Sequence, residues 1–544
     1  MVTRDLDEKR YLVSFDPRRL PHAFCNVLVL GTGVAGLRAA LEAAKHGDVL
    51  VVTKDRLEES STFYAQGGAA AALAQTDSVD QHVADTLRVG QGLSDEAVAR
   101  FIVSEAPQRI LELVEWGAPF DREGENLALT KEGGHSHRRI VHAKGDATGM
   151  AIEQTLAARV RQTPEIRIIE HAFCLDLITE GAACCGAIIH DARWGKMMIS
   201  ARQTILATGG VGCLFRETTN PAVATGDGLA MAYRAGAELR DLEFMQFHPT
   251  TLYIAGASRA LISEAVRGEG GYLVNDAGER FMRAVHPDAE LAPRDVVSRA
   301  ILDEMKRTGA TCVYLDLRHL GASLLARRFP GIKDLCAKFE IDIAQDLIPV
   351  RPSAHYFLGG VTVDMQARST LKRLFACGEV TSTGLHGANR LGSNSLIEGL
   401  VYGRQAGDMA GRAAAAEKTE QRRLRGASLH PKPRYADLNI ADVRDSLRAL
   451  MWRQAGIERS QKPLEDAIQR LLFWCRYVMD KEFDDPRGWE LQNMLTVGTL
   501  MARAALARAE SRGVHFRTDY PQRDDAAWSR RIAFRRGEPG PIIG

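Results

Sequence analysis

The hexad Gly31-Thr32-Gly33-Val34-Ala35-Gly36 constrains this chain more than any other feature. It follows a short apolar run, Asn26 to Leu30, and opens an Ala/Leu-rich stretch, Ala35 to His46, that stops before Gly47. The apolar run reads as a buried parallel strand and the Ala/Leu stretch as a helix. Val49 to Thr53 is a second β-branched run and completes a βαβ unit. In such a unit the first glycine permits the tight turn, the second lets backbone approach a pyrophosphate, and the third lets helix pack on strand. The helix N-terminus then faces the phosphates. The string alone is weak, but its place between strand and helix favours a bound dinucleotide over an empty turn. The acid that usually holds the ribose about 20 residues on is missing. Val51-Val52-Thr53-Lys54 stands there instead, and Lys54 could face a phosphate or ribose oxygen or simply be a surface residue.

A second glycine-rich run lies far along the chain: Cys377-Gly378-Glu379, then Leu385 to Leu396 with Gly387, Arg390, Gly392, Ser393 and Ser395. One cofactor touched by segments so far apart suggests FAD rather than NAD. Between them, Ser61-Thr62-Phe63-Tyr64-Ala65-Gln66-Gly67-Gly68 offers hydroxyl donors and close backbone approach, though an ordinary loop fits it equally well. Thr225-Gly226-Asp227-Gly228 reads as a turn with Asp227 available to a hydroxyl.

The chain has 544 residues, enough for two to four folding units. A net charge of +1 argues against a nucleic-acid partner. Nine cysteines form no CxxC pair and read as reduced thiols, without metal or iron–sulfur spacing. The N-terminus carries Arg4, Asp5, Asp7, Glu8, Lys9 and Arg10 where a signal peptide needs an apolar core. The longest apolar run, Ala23 to Leu37, falls short of the roughly 18 residues that span a bilayer. A cytoplasmic protein without metal or membrane contact is expected.

Short strand-like pieces recur at Ile166–Ile169, Gly186–His190, Met197–Ser200 and Thr204–Ala207, and again at Leu374–Cys377. A first unit is thus interrupted by a second and then resumed. After about residue 416 the chain turns charged and helical. Val443, Leu447, Leu450 and Met451 follow helical spacing, as do Leu464, Ile468, Leu471, Leu472 and Cys475, and then Leu491, Met494, Leu495, Met501 and Ala505. Three helices are expected there, after a solvated Glu417–Arg425 linker. The Pro/Gly-rich end, Arg535 to Gly544, should fray. With the family resemblance given next, which implies the cap, the expected architecture is an α/β FAD-binding, Rossmann-like domain in two pieces (1–241 and 357–415), an inserted α+β capping domain (242–356) and a C-terminal three-helix domain (416–544).

Taken in order, the glycine turn, the Ser61–Gly68 run, Gly209-Gly210, Gly226-Asp227-Gly228, Phe247-His248-Pro249-Thr250, Gly268-Glu269-Gly270 and the 378–396 run resemble the flavoproteins of the succinate dehydrogenase/fumarate reductase superfamily. The Ser61–Gly68 run itself and Glu132-Gly133-Gly134-His135-Ser136-His137-Arg138-Arg139-Ile140 resemble its L-aspartate oxidase branch. The likeness extends from about residue 24 to 515. It implies FAD held by Thr32 to Ala35 and Lys54 on the adenosine and pyrophosphate side, and by Ser61 to Gly68, Asp227, Glu379, Ser395 and Leu396 elsewhere. Membrane-bound relatives attach FAD through a His of this loop. Ser61 takes that place here and the loop has no His, which implies dissociable, non-covalent FAD.

A small dicarboxylate needs cations at both ends, and charge-assisted bonds to a planar guanidinium are worth roughly 1.5–3 kcal/mol each. His248, Arg294, His355 and Arg390 come from four separate segments. The resemblance implies that His248, His355 and Arg390 bind substrate carboxylates and that Arg294 stands near the reacting carbons. It places Ser263, where the family often has Thr, and Glu264 in the same site, and gives the α-ammonium of an amino acid to Glu132. The implied reaction is oxidation of L-aspartate to iminoaspartate by hydride transfer to flavin, with O₂ (giving H₂O₂) or fumarate as acceptor. This is the first step of NAD synthesis from aspartate, with quinolinate synthase consuming the imine. A guanidinium costs on the order of 7 kcal/mol to deprotonate at neutral pH, so Arg294 is expected to act by charge. A soluble fumarate reductase or succinate dehydrogenase flavoprotein is the alternative, and it implies covalent FAD and an iron–sulfur partner.

Overall fold

The computed structural model describes residue 6 and residues 9–255, 260–418, 428 and 438–544. The solvated linker expected at Glu417–Arg425 therefore lies, from residue 419 onward, outside the described residues, as do Arg4, Asp5, Asp7 and Glu8. The glycine hexad joins strand β1 (His22–Leu30) to helix α1 (Val34–Ala43), and β2 (Val49–Val52) runs parallel to β1. Gly47 ends the helical segment with φ 149°. Val27 to Leu30 and Val49 to Val52 are all buried, as strands covered on both faces must be.

The sheet has seven strands, in the order Ile166–Ile169, β2, β1, Gly195–Leu206, Ala183–Asp191, Ala172–Glu180. The seventh, Leu374–Ala376, pairs in parallel with Thr204–Leu206 and so returns the chain to its first unit. The two strand pieces expected at Met197–Ser200 and Thr204–Ala207 are one strand of 12 residues. Arg202 and Gln203 do not break it, because β1 satisfies its backbone from Met198 to Leu206 whatever the side chains.

Helix α2 (Asp227–Ala235) starts from Gly226, which takes the left-handed φ of 79°. A separate antiparallel sheet then forms in the order Met245–Leu252, Ile348–Phe357, Val313–Asp316, Tyr272–Val274. Helix α3 (Arg294–Thr308) packs on it, with the Ser298 hydroxyl donating to the Phe247 carbonyl at 3.0 Å. This unit has its own apolar core, including Leu252, Leu273, Val297, Ile301 and Leu315. It is the inserted α+β cap of the expected fold class.

Helix α4 (Asn394–Ala416) leaves the second glycine-rich run and lies along α1. Gly399, Gly403, Gly407 and Gly411 recur every four residues and share one face. A Cβ at Gly403 would sit 2.5 Å from the Ala35 carbonyl oxygen, and one at Gly407 would sit 2.3 Å from that of Ala39. Each glycine costs a helix about 1 kcal/mol relative to Ala. Backbone-to-backbone contact along this stripe offsets that cost.

Helices α5 (Ile440–Gln454), α6 (Gln461–Val478) and α7 (Pro486–Ala507) form the expected three-helix unit. Val443, Leu447, Leu464, Leu471, Leu491 and Met494 are buried as their spacing requires. Helix α7 is buried on nearly every side because α2 packs against it as well. The C-terminal end does not fray. Ile542–Ile543 pairs with Ile532–Ala533, and Ala533–Phe534 pairs with Leu239–Arg240. Burial of Ile532, Ala533 and Phe534 holds this strand, and the Pro/Gly residues beyond it make the return turn. Among the described residues no helix is long and apolar enough to cross a membrane.

Gly407→Val is expected to lower stability by about 2 kcal/mol through overpacking, seen as a lower thermal midpoint. An unchanged midpoint would show that α1 and α4 do not need their close approach.

Candidate active site

A cavity of about 660 Å³ opens at the C-terminal end of β1. Gly31 takes φ 104°, and a Cβ there would lie 2.2 Å from the Ala207 carbonyl oxygen. Gly33 caps α1 with extended backbone, so the helix N-terminus faces the cavity. Gly31, Thr32, Gly33, Val34 and Ala35 all line it. Gly36 does not. It packs beneath the turn, where a Cβ would meet the Gly31 carbonyl oxygen at 2.1 Å, and its role is helix packing.

The Ser61–Gly68 run hangs on the same helix end, with the Val34 N–H donating to Thr62 Oγ1 at 3.1 Å. Ser61, Thr62, Tyr64, Ala65, Gln66, Gly67 and Gly68 line the cavity. Phe63 is the exception: the chain turns here, and its ring packs edge-on against Tyr64, 5.4 Å away, outside the cavity wall. Asp227, Glu379, Ser395 and Leu396 close the far sides. Gln66 Oε1 and Thr208 Oγ1, on residues that line the cavity, are buried without a hydrogen-bond partner. Such atoms call for a polar ligand.

Lys54 also lines the cavity, but its ammonium does not face into it unpaired. Its Nζ donates to Asp227 Oδ2 (2.7 Å), Thr225 Oγ1 (2.8 Å) and Glu490 Oε1 (2.8 Å). All three donors of the ammonium are used. Asp227 is thus held by Lys54 rather than left unpartnered.

At the other end of the cavity the four expected cationic side chains converge. His248 and His355 sit on neighbouring antiparallel strands, where His248 pairs with Ser353, so both imidazoles project from one face. Their ring centroids are 5.1 Å apart. Arg390 Nη2 stands 3.4 Å from His355 Nε2, and its guanidinium lies 4.3 Å from the Tyr356 ring centroid. Arg294, at the start of α3, donates from Nε to Glu264 Oε2 at 2.6 Å. Gln246 joins the two guanidiniums, because its Oε1 accepts from Arg294 Nη1 and from Arg390 Nε, each at 3.2 Å. Ser263 caps the short helix that carries Glu264, accepting from the Ala265 N–H at 3.3 Å, and both residues line the cavity.

The two carboxylates differ. Burial opposes charge on Glu264, but Arg294 and Arg267 outweigh it and hold the carboxyl below its ordinary range. Burial and the nearby Glu264 push the Glu132 carboxyl up. Among the described residues the Glu132 carboxylate takes one hydrogen bond, from the Ser393 hydroxyl at 2.7 Å, and no ion pair. It is a buried acid with no direct ion pair, on which Arg294 and Arg390 act only from a distance. Burial, reinforced by Arg294, holds His248 well below the usual imidazole range, and burial with Arg390 does the same to His355. Burial and Arg294 bring Arg390 down to about 10, which leaves it charged at neutral pH. Burial raises Glu379 to about 7.

Sequence reasoning missed Gln246, although it lies two residues before His248 and strand period places both on one face. It also missed Ser393, inside the run already singled out, and Glu490 and Asn493, which reach the cofactor end from α7 with no local signal.

The profile of the FAD binding domain family matches residues 26–396, and that of the fumarate reductase flavoprotein C-terminal domain matches 444–541. Among solved structures, a quinol-fumarate reductase with menaquinol molecules superposes with a TM-score of 0.89 at 33% identity, over 96% of this chain and 98% of that one. Mycobacterium smegmatis Sdh1 in complex with UQ1 gives 0.82 at 35% identity, over 96% and 94%. Fold and site thus define an FAD-binding flavoprotein of the fumarate reductase type. The curated L-aspartate oxidase of Streptomyces coelicolor is 44% identical over 94% of this chain and 91% of its own length, and the chloroplastic enzyme of Arabidopsis thaliana is 41% identical over 91% and 81%. The chain belongs to the L-aspartate oxidase family of FAD-dependent oxidoreductases. The glycine turn, the N-terminus of α1 at the cavity and the orphaned Gln66 and Thr208 oxygens fit FAD in this cavity.

Because both imidazoles are held neutral, a bound diacid should raise their affinity for protons. Succinate binding to the FAD-loaded protein at pH 7 is expected to take up protons and to weaken as pH rises. Calorimetry in two buffers of different ionisation heat measures this. Zero uptake or net release would contradict the assignment.

Proposed function

We propose that this chain oxidises L-aspartate to iminoaspartate, the first step of NAD biosynthesis from aspartate. The observation that carries the proposal is Glu132, a buried acid with one hydrogen bond and no direct ion pair among the described residues, in the same cavity as His248, Arg294, His355 and Arg390. A plain diacid leaves that carboxylate uncompensated, whereas an amino diacid supplies the missing ammonium. His248, His355 and Arg390 hold the two substrate carboxylates. Arg294, steered by Glu264 and Gln246, stabilises charge at the reacting carbons. Ser263 supports Glu264 at the head of its helix. FAD, when bound, supplies the hydride acceptor for the Cα–H bond. The cap, which brings Arg294 to the site, excludes water that would hydrolyse the imine.

The remaining electron and product traffic belongs to the same proposal. O₂, giving H₂O₂, or fumarate reoxidises the cofactor, and quinolinate synthase takes the imine in the cytoplasm. FAD is held without a covalent bond, since the Ser61–Gly68 run offers no His. The second reading, a soluble fumarate reductase or succinate dehydrogenase flavoprotein, uses the same cations and is favoured by the likeness to quinol-fumarate reductase. It leaves Glu132 without a task.

Anaerobic mixing separates the two. The yellow protein should bleach with L-aspartate, not with D-aspartate, and release its flavin on acid precipitation. Arg294→Leu should keep its FAD and lose turnover by roughly 10³-fold or more. Bleaching by succinate alone, or near-normal turnover in Arg294→Leu, would overturn the proposal.

A further inference from the structure

We infer that Asn493, on helix α7 of the C-terminal unit, is a positioning residue for the cofactor and sets FAD affinity through Asp227. The inference rests on the proposed role of Asp227 as a cofactor contact. Asp227 lines the cavity, and three groups hold its carboxylate. Lys54 Nζ and Thr225 Oγ1 donate to Oδ2 at 2.7 and 2.8 Å, and Asn493 Nδ2 donates to Oδ1 at 2.7 Å.

The orientation of the Asn493 amide is fixed by chemistry. Arg234 can only donate, and its Nη1 stands 2.8 Å from Asn493 Oδ1. The amide oxygen must therefore face Arg234 and the NH₂ must face Asp227. Arg234 is itself anchored, from Nε to Asp176 Oδ1 at 2.7 Å and from Nη2 to the Leu175 carbonyl at 3.1 Å. Asn493 is fully buried, so water cannot replace it. The other charged and titratable groups around Asp227 are Lys54 with Glu490 behind it, Arg234 with Asp176 behind it, and the Cys174 thiol.

This arrangement carries more than domain docking. A side chain from the C-terminal unit fixes one oxygen of a cavity-lining carboxylate while Lys54 fixes the other. The edge of Asp227 that remains toward the cavity is the edge a cofactor hydroxyl would use. The C-terminal helices thereby become part of the FAD site, although they contribute no cavity-lining residue.

The test is FAD titration into the full-length apoprotein, followed by flavin fluorescence, with Asp227→Ala as the reference. Asn493→Ala should weaken FAD roughly 10- to 100-fold, the loss expected for a buried hydrogen bond to a charged group. KM for substrate at saturating FAD should be unchanged. Asn493→Asp sets two carboxylates face to face, which cannot both ionise at low cost. Its FAD affinity should be poor at pH 8 and recover toward pH 6, where a shared proton restores a donor, while the natural protein shows no such recovery. If Asp227→Ala loses FAD but both Asn493 variants bind it as tightly as the natural protein at every pH, the inference falls. If Asp227→Ala binds normally, the reading of Asp227 falls first and takes the inference with it.

Discussion

Direct backbone contact between α1 and α4 is the constraint on which the remaining structure depends. Gly403 and Gly407 let the two helices meet at backbone distance, Gly399 makes room for the Val34 side chain, and Gly411 makes room for His46 just beyond α1. That meeting brings the start of α4, with Ser395 and Leu396, beside the Gly31–Gly33 turn, although more than 350 residues separate them in sequence. Gly36 makes the matching contact from the other side by packing on the Gly31 carbonyl. The cavity is the space these close contacts leave open.

Into that space the fold delivers charged and polar side chains from several units. The cap supplies His248, Glu264, Arg294 and His355, and the glycine-rich run before α4 supplies Arg390. Guanidiniums brought so close repel each other. Gln246 Oε1 between them and the Glu264 carboxylate on Arg294 keep the arrangement stable without a ligand. Glu132 is different, since among the described residues its one direct partner is a serine hydroxyl. A buried acid without a direct ion pair is costly to maintain, and the ammonium of the proposed substrate would offset that cost. At the far end the same economy of charge recurs in reverse, with Lys54 fully engaged by Asp227 and Glu490.

Much of this was legible in the sequence where local pattern and chemistry coincide. The βαβ unit, the interruption of the first unit and the three helices after residue 438 follow from hydrophobic period and glycine placement, and the cap from the family resemblance. His248, Arg294, His355 and Arg390 do meet around one cavity. What escaped was whatever depends on tertiary approach. Arg202 and Gln203 disguised one long strand as two. The Pro/Gly end looked unfixed because its partner strand, Leu239–Arg240, lies some 300 residues earlier. Phe63 sits in a cofactor-like run yet turns away, since a run in a turn has no fixed period. The ion pairs of Lys54 gave no sequence signal because its partners, Asp227 and Glu490, come from distant helices.

The central claim is that an isoalloxazine ring and a four-carbon diacid share this cavity, gripped by residues from separate units. Diffraction from crystals of the FAD-loaded protein soaked with succinate tests it most directly. The account predicts one carboxylate within hydrogen-bond reach of Arg390 and His355, the other beside His248, and the flavin ring against the Ser61–Gly68 loop. A diacid bound elsewhere, or a ring remote from Arg294, would contradict it.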